Sequence, residues 1–169
     1  MNKIYYRTKM RYFICLGSNI GDRKKNIRQA CLLLQRRGIH LFRSSSLYLS
    51  EPVDYRPQPW FYNQVVELES DLEPHELLSL VKAVEKVMGR KPSLKKGPRL
   101  IDIDILFAGE KVVNSRELVV PHPRLEKRNF VLLPLSEIGP DIVHPVSRKK
   151  VKDLLKECDD NSSVVKLDG

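Results

Sequence analysis

Ile101-Asp102-Ile103-Asp104-Ile105-Leu106-Phe107-Ala108 is the stretch on which the reading of this 169-residue chain turns. Successive side chains leave a strand on opposite faces, so Ile101, Ile103 and Ile105 share one face while Asp102 and Asp104 share the other. This alternation predicts a strand over 101–108. Upstream, Leu77, Leu80, Val81 and Val84 recur at helical spacing, which predicts a helix from about Glu73 to Met88 stopped by Gly89. Phe61 to Ser70 alternates through Val66 and Leu68 and is predicted to be a strand, whereas Ser50 to Trp60, with Pro52, Pro57 and Pro59, is predicted to be irregular. Ile39 to Leu49 carries β-branched and aromatic residues in weak alternation and is expected to form one strand. A first helix is expected from an N-cap at Asp22, burying Ile27, Ala30, Cys31 and Leu34, to a stop at Gly38. Arg11 to Leu16 opens the series as a strand, followed by Gly17-Ser18-Asn19 and Gly21.

The resulting order, β-α-β-β-α-β, is that of an α+β, ferredoxin-like sandwich: an antiparallel sheet with both helices on one face. Val112–Val113 is expected to add a short strand, and helices are expected near Leu125 to Leu133 and Val151 to Cys158. Residues 11–160 are read as one domain, residues 1–10 as a basic N-terminal extension, and residues 161–169, behind an acidic run from Asp159, as a frayed tail.

Charge is concentrated in two places. The chain carries 30 basic and 21 acidic residues, a net charge of +9. Lys3, Arg7, Lys9 and Arg11 form one acid-free stretch, and Lys86, Arg90, Lys91, Lys95, Lys96 and Arg99 form another; together they exceed the whole excess. A focal cationic patch implies a focal anion. The longest apolar run, Ala30 to Leu34, is far too short to cross a bilayer, and the basic start has no secretory apolar stretch, so a cytoplasmic protein without a membrane partner is expected. Cys15, Cys31 and Cys158 show no metal-ligand spacing and are expected to be buried thiols, which suits a reducing compartment.

Two carboxylates leaving one strand face need a counterion, and rigid oxygen ligands suit Mg²⁺, although an isolated pair serves equally well as solvated edge-strand acids. The context favours the metal. Lys95-Lys96-Gly97-Pro98-Arg99 delivers cations directly before the two acids, and a Mg²⁺-nucleotide needs both signs of charge at once. Nucleic-acid binding would not ask for paired acids within the patch, and the basic-Gly-aromatic-Gly-Phe strand of an RNA-binding ferredoxin-like module is absent. A two-metal nuclease or nucleotidyl transferase using the same acids stays open at this point.

Lys95-x-Gly97-Pro98-Arg99-x-x-Asp102-x-Asp104-Ile105-Leu106 resembles the signature of the 6-hydroxymethyl-7,8-dihydropterin pyrophosphokinase family of folate biosynthesis. Leu16-Gly17-Ser18-Asn19 with Gly21, Gln58-Pro59-x-Phe61-x-Asn63, and Val120-Pro121-His122 with Arg128-x-Phe130 resemble further family segments in the same order, so the likeness covers roughly Arg11 to Pro145. The resemblance implies transfer of the β,γ-pyrophosphoryl group of ATP to the hydroxymethyl oxygen of the dihydropterin, with release of AMP. It implies two Mg²⁺ ions between Asp102, Asp104 and the triphosphate, and Arg90 and Arg99 as catalytic cations on the phosphates. Glu85, Ile105, Val119, His122 and Arg128 complete the implied ATP site, Ile105 and Val119 through backbone groups on adenine while their side chains pack in the core. The implied pterin site is Asn63 on the ring edge, Phe61 and Phe130 on its faces, and Ser50 and Val53 through backbone groups. No nucleic-acid partner is expected, and protein partners are not implied.

Each of these residues also has an ordinary structural reading: Arg90 compensating a helix C-terminus, Glu85 solvated on its helix, His122 exposed, Phe61 and Phe130 in the core, Asn63 in a turn. Three departures from the family pattern stand out. Lys96 replaces a common Trp, the 90–102 loop is one residue short, and Glu51 sits where Pro is common. The loops Ser50 to Trp60 and Gly89 to Arg99, crowded with Pro and Gly, are expected to act as lids.

Overall fold

A computed structural model describes residues 7–90 and 96–168. Lys3, Lys91 and Lys95 of the two cationic stretches therefore lie outside the described residues. The elements are β1 (Met10–Ser18), α1 (Arg23–Arg36), β2 (His40–Ser44), β3 (Tyr48–Ser50), β4 (Phe61–Ser70), α2 (Pro74–Val87), β5 (Asp102–Ala108), β6 (Val113–Asn114), β7 (Val119–Val120), α3 (Asn129–Ile138), α4 (Val151–Glu157) and β8 (Val164–Lys166). The main sheet runs β5-β1-β4-β3-β8, with β2 also paired to β4, and every pairing in it is antiparallel.

Local chemistry explains the helix limits. The Asp22 side chain accepts from the Lys25 N–H at 3.0 Å to start α1, and Glu76 accepts from the Glu73 N–H at 2.8 Å to start α2. Gly38 and Gly89, at φ +83° and +90°, supply the left-handed turns beyond the two helix ends.

The sheet is covered on both sides. Ile27, Leu34, Leu77, Val81 and Val84 of α1 and α2 pack on Ile14, Leu16, Val66, Leu68, Ile103 and Ile105. Behind the sheet, Phe13, Cys15, Val65, Leu106 and Phe107 pack against Leu125, Val131, Leu132, Leu135, Val151 and Leu154. The alternation in β5 therefore has the predicted meaning: its isoleucines face α1 and α2, and its aspartates face the layer of α3 and α4. A register shift opposite Phe13/Ile14 leaves Leu106 as an extra residue, so Leu106 and Phe107 both join the second core and the strict alternation ends just past the acids.

Four expectations need correction. The single strand over 39–49 is two, β2 and β3, because the buried Ser45 accepts the Val65 N–H on its hydroxyl at 3.0 Å and turns the chain between them. The helix expected at 125–133 is a 3-10 turn at Leu125–Lys127 followed by α3, which carries Pro134 inside it and continues to Ile138; an extended Arg128 separates the two. The Val119 side chain is exposed and lies outside the core, since β7 is a two-residue strand paired only to β6. Residues 161–169 contain a strand: β8 pairs with β3 as Tyr48↔Lys166, Leu49↔Val165 and Ser50↔Val164. The β-branched pair Val164-Val165 supplies that strand, and Asp160 before it accepts from the Asn129 and Ser162 backbone N–H groups.

Candidate active site

Strand register assembles the site. Asp102, Gly17, Asn63 and Tyr48 form one row across β5, β1, β4 and β3, and Phe61 and Ser50 form the next row towards the strand ends. Asp104 lies beside Cys15 in the row behind. These residues open onto a cavity of ≈ 630 Å³, open solvent at its mouth included, within the usual range for small-molecule sites. Ser50, Val53, Phe61, Asn63 and Phe130, expected at the pterin, all line it, together with Arg99, Asp102, Asp104 and Arg128.

The acidic end is a chain of ion pairs. Arg90 Nη1 reaches Asp102 Oδ1 at 2.9 Å and Glu85 Oε1 at 2.6 Å, and Arg99 Nη1 reaches Asp102 Oδ2 at 2.6 Å. Glu85 is buried at 2 % exposure and accepts the Ile103 N–H at 2.8 Å, so it fixes both β5 and Arg90. It is neither solvated nor in the cavity lining. Burial, followed by the charge of Asp102, pushes the Asp104 carboxyl well above the usual carboxylate range, with Arg128 opposing.

Burial in the second core raises the Cys15 thiol well above its ordinary range, so it is an inert part of the cavity floor. His122 is half-buried, and its Nδ1 accepts the Arg124 N–H at 3.2 Å. Burial, then Arg128 and Arg124, bring it down to about 4, so the ring is neutral at pH 7 and offers Nε2–H as a donor. The Ile105 side chain is buried among α1 and α2, as expected.

At the other end, Asn63 is buried and gives Nδ2–H to Ser50 Oγ at 2.7 Å, leaving its carbonyl near Gly17. A Cβ at Gly17 would stand 3.1 Å from that Oδ1 and 3.7 Å from the Phe61 ring, so glycine is what lets β1 pass under the amide. Arg128 lies over the Phe130 ring at 5.4 Å, joining the two ends of the cavity.

Sequence reasoning missed three connecting residues. Asn19 is buried, accepts the Arg99 N–H on Oδ1 at 2.7 Å, and donates Nδ2–H to Gln58 Oε1 at 3.0 Å and to the Pro59 carbonyl at 2.9 Å. Gln58 continues to the Lys96 carbonyl at 3.0 Å, so both expected lid loops meet through these two amides. Asp54 faces Lys96 at 3.4 Å, Arg124 at 3.3 Å and Arg128 at 3.5 Å. The Leu16-Gly17-Ser18-Asn19 segment and the Gln58-Pro59-x-Phe61-x-Asn63 segment were the available signals for Asn19 and Gln58, which were given no role of their own; Asp54 lies in a Pro-rich loop that gives none.

Against known proteins, residues 13–140 match the model of the 7,8-dihydro-6-hydroxymethylpterin-pyrophosphokinase (HPPK) family. The chain belongs to the HPPK family. The 2-amino-4-hydroxy-6-hydroxymethyldihydropteridine pyrophosphokinase of Aquifex aeolicus is 42 % identical over 145 residues, covering 86 % of this chain and 90 % of that one. The mitochondrial folate synthesis bifunctional protein of Arabidopsis thaliana is 47 % identical over 131 residues, covering 78 % of this chain and 24 % of that protein. This HPPK chain thus spans about a quarter of the plant relative. A crystal structure of Plasmodium falciparum HPPK-DHPS superposes with a TM-score of 0.72 at 16 % identity, covering 91 % of this chain and 46 % of that one, a likeness of fold. Among the described residues of this HPPK chain no helix is long and apolar enough to cross a membrane.

Proposed function

We propose that the chain transfers the β,γ-pyrophosphoryl group of ATP to the hydroxymethyl oxygen of 6-hydroxymethyl-7,8-dihydropterin, giving the dihydropterin diphosphate and AMP in folate biosynthesis. One observation carries the reading: a single cavity joins a carboxylate-guanidinium end, suited to a metal-bound triphosphate, to a ring-shaped end with one polar amide and two phenyl groups.

The donor set fits Mg²⁺. Asp102 and Asp104 are two oxygen donors at the cavity that leave the remaining positions to phosphate and water, as Mg²⁺ prefers. Two Mg²⁺ ions held there would supply neutralisation of the triphosphate and polarisation of the incoming hydroxyl. Asp102 has both oxygens on Arg90 and Arg99, so nucleotide binding exchanges partners: the guanidinium groups pass from the carboxylate to phosphate oxygens. Arg128 and neutral His122 add contacts to the triphosphate, and backbone groups at Ile105 and Val119 receive adenine.

Asn63 reads the polar edge of the pterin, Phe61 and Phe130 hold its faces, and Ser50 and Val53 shape the rim. The hydroxymethyl oxygen forms a bond to the β-phosphorus, the α,β-bridging P–O bond breaks towards AMP, and the hydroxyl proton leaves to solvent. Positioning and charge neutralisation carry the rate, with no side-chain nucleophile. We place the reaction in the cytoplasm on the three free thiols; cell fractionation checks this, given a plant relative named as mitochondrial. The deciding assay measures AMP formed per dihydropterin consumed with Mg²⁺ present. A ratio of one is expected; ADP as product, or AMP without pterin consumption, overturns the reading.

A further inference from the structure

The segment Asp160–Ser163 touches both walls of the ring end of the cavity. At one wall, Asp160 Oδ2 accepts the Asn129 N–H at 2.9 Å, and Asn129 Nδ2–H is donated to the Asp160 carbonyl. Asn129 is the first residue of α3 and lies between Arg128 and Phe130, both of which line the cavity. Arg128, at the N-cap position, makes no side-chain cap, so Asp160 supplies from a distant part of the chain the acceptor that this helix start needs. Its other oxygen accepts the Ser162 N–H at 2.9 Å, which turns the chain towards the second wall.

There, Ser163 N–H bonds Glu51 Oε1 at 2.7 Å and the Glu51 N–H bonds the Ser163 carbonyl at 3.1 Å. Val164 then pairs with Ser50, whose hydroxyl holds the Asn63 amide. Three Cα steps separate Asp160 from Ser163, so the connection reaches at most about 11 Å. A strap this short, bonded at both ends by backbone groups, leaves little freedom for the walls to part. Glu51 also accounts for itself here: a proline at that position has no N–H for Ser163 and no carboxylate.

We infer that Asp160–Ser163 is a two-ended clamp that sets the distance between the Ser50/Asn63 wall and the Arg128/Phe130 wall, with Asp160 and Glu51 as positioning residues for the flat ring. The inference rests on the proposal that the ring end takes the pterin. A clamp fails when either end is cut, so the two ends must be coupled energetically.

The test uses Asp160→Ala, Glu51→Ala and the double variant, titrated with 6-hydroxymethylpterin by fluorescence in the presence of Mg²⁺ and a non-hydrolysable ATP analogue. Each single variant is expected to weaken pterin binding by ~5–20-fold, the scale of one or two hydrogen bonds to a carboxylate, and the double variant to lose no more than about twofold beyond the weaker single one. Glu51→Ala should leave affinity for the ATP analogue within about twofold, and Glu51→Gln, which keeps an acceptor, should recover most of the pterin affinity. Unchanged pterin affinity in both single variants, or losses that multiply in the double one, overturns the clamp.

Hydrogen exchange in the ligand-free protein reads the coupling without any pterin. Asp160→Ala should accelerate exchange at the Glu51 and Ser163 amides, and Glu51→Ala at the Asn129 amide. Acceleration confined to the mutated end overturns the clamp, whereas acceleration across the cavity in a protein that binds no pterin keeps the clamp and overturns the ring assignment.

Discussion

Gly17→Ala tests how the ring end is built, because it adds one methyl group and removes nothing. Gly17 does not have a positive φ, so alanine fits its backbone, and in a strand interior alanine is favoured over glycine by roughly 0.5–1 kcal/mol. The new Cβ stands 3.1 Å from Asn63 Oδ1, tight by a few tenths of an ångström, and 3.7 Å from the Phe61 ring, an ordinary contact. Asn63 has little room to yield: its Nδ2 is bound to Ser50 Oγ at 2.7 Å, and Asn63 is 2 % exposed. The amide must rotate or shift, and either motion compromises one hydrogen bond, to Ser50 or to the ring. The loss is ~1–2 kcal/mol, or about 5–30-fold in affinity. Fluorescence titration of 6-hydroxymethylpterin measures it, with binding of the Mg²⁺-ATP analogue as the control, since the side chains the new Cβ meets, Asn63 and Phe61, belong to the proposed ring end. Weakened pterin binding at constant nucleotide affinity and melting temperature is the expected pattern. Unchanged pterin affinity would show that the ring does not use Asn63, and equal loss of both ligands would show that β1 had moved as a whole.

Other substitutions probe the acidic end. Asp102→Asn and Asp104→Asn should each lower turnover in the AMP-release assay by at least ~10²–10³-fold, the scale of a lost transition-state charge partner, while both proteins stay folded by circular dichroism. Glu85→Ala removes the acceptor for the buried Ile103 N–H and for Arg90; a loss of ~2–4 kcal/mol in urea unfolding is expected, with a lowered turnover because Arg90 is no longer held. His122 has a folded pKa of about 4 against 6.5 for the free side chain, so the unfolded chain binds its proton first as pH falls. Its contribution to stability is therefore complete above about 6.5 and lost between 6.5 and 4. His122→Gln should flatten that limb of a melting-temperature profile, and nitrogen NMR should find Nδ1 unprotonated at pH 7.

What the sequence discloses about this fold divides along a physical line. Alternation and helical spacing are local consequences of backbone geometry, so β1, β4, β5, α1 and α2 were legible within a residue or two, and so was the orientation of Asp102 and Asp104 away from the isoleucines. The candidate site residues were picked out differently, through the resemblance of their segments to a family signature. Bonds to distant partners leave no such trace. Ser45 reads as one of three serines, yet its hydroxyl takes the place of a ladder bond and splits the expected strand. Asp160 reads as one more solvated acid near the end of the chain, yet its oxygens bond to two backbone N–H groups, one of them the start of a helix more than thirty residues earlier. Asp54 reads as a loop acid and meets three cations from two other segments. In each case the side chain is small and polar, its type is common in loops, and only the partner's position in space decides what it does. The proposed chemistry thus falls on residues that a family signature picks out, whereas the proposed spacing between the cavity walls rests on residues that composition alone would assign to solvent.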